Sequence, residues 1–211
     1  MTDYYGKLLE EVSRIWVVDT HEHLQDEASR VKAKVDPLSL FFLHYSSTDL
    51  VSAGMSPDEL RRIRDPNIPL EERWRTLKPY WELVKNTGYG RALLIAMKDL
   101  YGIDDLRDDT VKALADKMRE ANRPGVYSWI LKDKGRIEVS IWDVGRWRPE
   151  EVDRRFFASV IRFDDFIMAR SRAEIARLER RIGARIHSLS DVVKGLEKLV
   201  ETVKEHVVGI K

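Results

Sequence analysis

An apolar run that ends in two histidines one residue apart constrains this chain most: Ile15-Trp16-Val17-Val18-Asp19-Thr20-His21-Glu22-His23-Leu24. Four consecutive apolar residues, Ile15 to Val18, read as a fully buried strand of the parallel-sheet type. Side chains at i and i+2 of a strand point to the same side. His21 and His23 therefore converge, and two imidazoles can grip one cation. Imidazole suits zinc and the later first-row metals, so the pair reads as half of a divalent metal site, with zinc the leading ion. Asp19 lies on the same stripe and is a candidate carboxylate to hydrogen-bond a ligand histidine. Glu22 points away from the pair and reads as structural.

The rest of the chain sets a parallel α/β architecture. Residues 3–14 read as a short amphipathic helix before strand one at 15–20. A long helical stretch follows to about residue 122. Within it Ser56-Pro57-Asp58-Glu59 is a capping box with proline at the first helical position. Residues 70–86 have helical spacing, and Pro79 should kink or divide that helix. Gly88 and Gly90 punctuate, and helices are expected over 91–101 and 110–121. Strand two is expected over 136–144 and strand three over 156–163. A second capping box, Ser171 to Glu174, opens a helix ending at Gly183. Another helix over 190–206 leads into a fourth strand from Val207. Strands separated by helices argue for a parallel sheet.

The stretch "VVDTHEHL" resembles the first strand of the amidohydrolase superfamily, metal-dependent enzymes on a (β/α)8 barrel. The segments "HYSSTDLVSAGM" (44–55) and "YWELVKNTGYGRALLIAMKDLYGID" (80–104) resemble the helical insertion of a subgroup related to uronate isomerases. The resemblance implies a TIM-barrel fold with His21 and His23 as metal ligands at the C-terminal end of strand one. A barrel of this kind carries its chemistry on that face. The resemblance also puts Lys211, at the end of strand four, where some members bridge two metals with a carbamylated lysine. Trp142 and Arg162 end strands two and three and would line the substrate pocket. Arg162 could clamp an acidic group.

Length conflicts with a whole barrel. The chain has 211 residues, a (β/α)8 barrel takes about 250, and about 100 lie in the insertion, 24–122. Four strands remain. Residues 1–211 are therefore expected to be the N-terminal half of a barrel. The other half would come from the same gene product, a second chain or a copy. Further ligands and the catalytic aspartate implied by the resemblance fall outside this sequence. His44, His187 and His206 do not substitute for them.

Composition narrows the function classes. The 37 basic and 36 acidic residues give a net charge of +1, against a dedicated nucleic-acid binder. There is no cysteine, hence no thiolate metal site. The N-terminus lacks a signal-peptide layout and no apolar run spans a membrane, so a cytoplasmic location is expected. Charged residues make up 35%, with only Asn67, Asn86, Asn122 and Gln25 as amides, a thermophile pattern. The expected function is metal-dependent hydrolysis of a C–N or ester bond in a small, acidic substrate. The alternatives are an isomerase or decarboxylase on the same fold, and a non-catalytic half-barrel assembly subunit.

Overall fold

A computed structural model describes residues 3–143 and 151–211. The last residue of the expected strand two, Val144, lies outside the described residues. The chain forms two compact units: residues 27–134, and residues 1–26 together with 135–211.

The second of these contains the sheet. Helix α1 (Tyr4–Arg14) leads to strand β1 (Val17–Glu22). Strands β2 (Ile137–Trp142), β3 (Phe157–Ile161) and β4 (Val207–Ile210) complete a parallel sheet in the order β1-β2-β3-β4. The fold is thus α/β with a four-stranded parallel sheet, as the alternation of strands and helices requires.

Helices α9 (Asp164–Met168), α10 (Arg172–Ile182) and α11 (Leu189–Val203) separate β3 from β4. Ser171 caps α10 by accepting from the Glu174 amide, and Ser188 caps α11 through Asp191. The apolar stripe of α11, Leu196, Leu199, Val200 and Val203, packs on Ile161, Phe163 and Val207.

Strand one departs from expectation. It starts two residues later, and its apolar run is not buried: Val18 is 48% exposed, and Ile15, Trp16 and Val17 are similar. The cause is topological. Among the described residues β1 is an edge strand, bonded to β2 alone. Helix α1 contains no buried residue and leaves Leu8, Leu9 and Val12 exposed. At the opposite edge Val208 and Ile210 are exposed too. Both edges thus present apolar side chains, and among the described residues no further strand pairs with them, a surface that invites pairing.

The other unit is helical. It holds α2 (Glu27–Lys32), α3 (Pro37–Phe41), α4 (His44–Ser52), α5 (Pro57–Arg64), α6 (Leu70–Val84), α7 (Gly88–Tyr101) and α8 (Val111–Ala121). A π-helical segment, Ser128–Lys134, closes it. The helical insertion therefore extends about a dozen residues past its expected end and runs to strand β2. The Ser56/Glu59 capping box forms as expected.

Pro79 does not divide α6, which runs unbroken from Leu70 to Val84. Buried side chains anchor it on both sides of the proline: Trp74 and Leu77 before, Trp81 and Val84 after. That shared burial offsets the hydrogen bond that proline removes. Trp81 is fully buried, packs edge-on to Phe42 and donates its indole N–H to Asp105 at 2.8 Å. Among the described residues no helix is long and apolar enough to cross a membrane.

Gly88 and Gly90 do not interrupt the chain but form the first turn of α7, capped by Thr87. The end of α6 approaches so closely that a Cβ on Gly90 would stand 2.2 Å from the Val84 carbonyl oxygen. Backbone cannot yield as a flexible side chain does. Gly90→Ala is therefore expected to destabilise by about 1–3 kcal/mol, despite the better helix propensity of alanine. Thermal denaturation checks this, and a variant as stable as the parent would refute the close approach.

Candidate metal centre

The C-terminal ends of the strands bring together residues far apart in sequence. β1 ends with His21 and Glu22, and His23 follows. β2 ends with Trp142, so Asp143 lies at its mouth; Arg162 follows β3 and Lys211 follows β4. All four strands run parallel, so their C-terminal ends lie along one side of the sheet. Ligand atoms of His21, His23 and Asp143 all lie within 4.8 Å of one another. The two imidazoles meet edge to face with centroids 4.4 Å apart.

Asp143 is the residue that sequence reasoning missed as a ligand candidate. Its signal was present: an aspartate directly after a strand adjacent to the His-x-His strand. The side chain is buried, whereas both histidines are exposed. Arg162 engages both carboxylate oxygens, with Nε 2.8 Å from Oδ1 and 3.1 Å from Oδ2. Lys211 Nζ donates to Oδ2 at 2.7 Å. The Arg162 guanidinium, opposed by burial and helped by Lys211, holds the Asp143 carboxyl well below the usual carboxylate range. Asp143 therefore stays an anion, the form a metal needs.

Each imidazole is orientated by a neighbour. His23 Nδ1 lies 2.6 Å from the Asp143 carbonyl oxygen. A carbonyl only accepts, so Nδ1 carries the proton and the lone pair stays on Nε2. Lys211 Nζ lies 2.6 Å from His21 Nδ1. The same ammonium lies 3.3 Å from His21 Nε2, so it sits against the nitrogen edge of the ring. His21 Nδ1 and Asp143 Oδ2 stand 3.9 Å apart, a span that one ion at about 2.0–2.2 Å from each ligand could bridge.

The other expected site residues fall differently. Asp19 accepts the backbone N–H of His21 at 3.3 Å rather than a ring N–H, so it shapes the strand end and orientates no imidazole. Trp142 does not line a pocket mouth. It is 2% exposed, stacks on Phe157 at 4.9 Å and donates its indole N–H to the Leu24 carbonyl. Trp142 is thus packed beneath the sheet's end, whereas the next residue, Asp143, is buried beside the two histidines. Arg162 turns its guanidinium onto Asp143, and its clamp serves the protein's own carboxylate. Lys211 does reach the centre from β4, the strand farthest from β1 in the sheet. His206 precedes β4, at the opposite end of that strand from Lys211.

A comparison with protein-family models finds no match, and a comparison with curated proteins finds none either.

Proposed function

We propose that this chain is the metal-binding half of a hydrolase similar to the amidohydrolase superfamily, acting on a C–N or ester bond of a small substrate. The observation that carries the reading is the convergence of His21, His23 and Asp143 at the C-terminal ends of two adjacent parallel strands. Two neutral-nitrogen donors and one buried carboxylate suit a divalent ion such as zinc, and a catalytic site keeps a position open beyond three protein ligands. A bound ion of this type supplies an activated water and polarises a carbonyl.

The chain's own residues do the positioning. Asp143 fixes His23 through its backbone carbonyl and contributes its carboxylate as well. Arg162 fixes the carboxylate in turn, an outer contact of the kind that tunes metal affinity. The acid–base aspartate implied by the family resemblance is not assigned to any residue of this sequence. The exposed apolar edges at β1 and β4 support a partner that supplies further strands, whether in the same polypeptide, a second chain or a copy. Those same edges favour a second reading, a non-catalytic assembly subunit with an unused histidine pair.

The test is calorimetric titration of chelator-treated protein with zinc, paired with elemental analysis of the purified chain. One ion per chain with micromolar affinity or tighter is expected. A folded chain that takes up no metal would refute the hydrolase reading and leave the assembly reading.

A further inference from the structure

We infer that the Lys211 ammonium is a built-in occupant of the cation position, so that metal uptake requires this side chain to swing out of the centre. The inference rests on the metal reading of the same site. It starts from which atoms Lys211 touches. Nζ lies 2.6 Å from His21 Nδ1 and 2.7 Å from Asp143 Oδ2. It also lies 3.3 Å from His21 Nε2. An ammonium has three donors and no acceptor, so it competes with a metal ion for the acceptors of His21 and Asp143. The lysine is thus not beside the ligands but between two of them.

Space and charge lead to the same conclusion. A zinc ion sits about 2.0–2.2 Å from nitrogen and oxygen ligands. An ammonium nitrogen and a metal ion cannot share a gap of 3.9 Å between Nδ1 and Oδ2. Asp143 carries one negative charge and already faces two cations, Arg162 and Lys211. A divalent ion added with both in place would enter a centre of net positive charge among these three side chains. Arg162 is held by several bonds to the carboxylate, whereas Lys211 ends in a single flexible stem. The Lys211 backbone N–H is bonded to the Ile161 carbonyl at 2.9 Å. The stem is therefore anchored while the ammonium can leave.

The centre then behaves as a two-state element whose closed form is capped by its own cation. Apparent affinity is lowered by the fraction of time the ligands are open. Removing the ammonium should raise it.

The experiment is zinc titration of the full chain with Lys211 intact and as Lys211→Met. The inference expects Lys211→Met to bind zinc about tenfold tighter or more. Equal or weaker binding would overturn it, weaker binding marking Lys211 as a ligand in its own right. If neither protein binds zinc, the metal reading and this inference fall together.

A second measurement needs no substitution. Acylation of Lys211 in the unaltered chain, followed by mass spectrometry, should run several-fold faster with zinc than without, with Lys7 as an internal control. A Lys211 rate that zinc leaves unchanged or slows would overturn the inference even where zinc binds.

Discussion

Replacing both histidines, His21→Ala with His23→Ala, is expected to abolish zinc binding while leaving the apo fold nearly as stable as the parent. Two of three clustered donors are lost. Substitutions in the outer contacts of metal sites already cost about 10–100-fold in affinity, so removal of two ligands should exceed about 100-fold. The apo protein should hardly notice. Both side chains are exposed, and the bonds lost, from His23 to the Asp143 carbonyl and from Lys211 to His21, are worth about 1 kcal/mol each. Thermal melts with and without zinc separate the two effects. At about 100 times the dissociation constant, a bound ion stabilises the parent by about 2.7 kcal/mol. The double variant should melt near the apo parent and show no shift with zinc. A double variant that zinc stabilises as much as the parent would remove the histidines from the site. Asp143→Asn is the less useful probe, because it also disturbs Arg162 and Lys211.

What the sequence disclosed follows from which signals are local. Capping residues are local, and Ser56 with Glu59 marks its helix start correctly because the bonds form within one turn. The His-x-His convergence is local too, since strand alternation alone produces it. Asp143 and Lys211 stand 68 residues apart and meet only because β2 and β4 end on one side of the sheet. No spacing rule links them. Trp142 and Asp143 show how fine the limit is. Trp142 is the residue expected at the pocket, yet adjacent residues of a strand face opposite ways, and a shift of one residue exchanges a stacked indole for the buried carboxylate of the centre. The apolar run Ile15–Val18 misled for a related reason. Its composition is that of a buried strand, but burial depends on what covers it, and the described residues supply one neighbouring strand. Thr87 was missed as a helix cap because two glycines close behind it read as a break, although Gly90 is there to admit the neighbouring helix end.

The helical unit carries the largest expected stability effect, at Asp36. This residue does two jobs at once. Its Oδ1 caps α3 by accepting the amides of Leu38 and Ser39, both at 2.9 Å. Both oxygens also receive the Arg73 guanidinium, Nη1 to Oδ1 at 3.1 Å and Nη2 to Oδ2 at 2.6 Å. Arg73 is 3% exposed, and the carbonyls of Ile63 and Ile68 take further bonds from it. Those carbonyls satisfy donors but do not neutralise a charge. Asp36→Ala therefore leaves a buried cation without its counter-ion, which costs about 3–5 kcal/mol, and removes a cap worth about 1 kcal/mol. Such a loss is a large fraction of the stability of an ordinary domain. Urea unfolding followed by tryptophan fluorescence should show it, because Trp74 and Trp81 lie in the core of this unit. The companion variant decides the cause. If the uncompensated charge dominates, Asp36→Ala combined with Arg73→Met should be more stable than Asp36→Ala alone, since the stranded cation is gone. A double variant no better than the single one would assign the loss to the cap and to packing instead, and the ion pair would then count for little in holding α3 to α6.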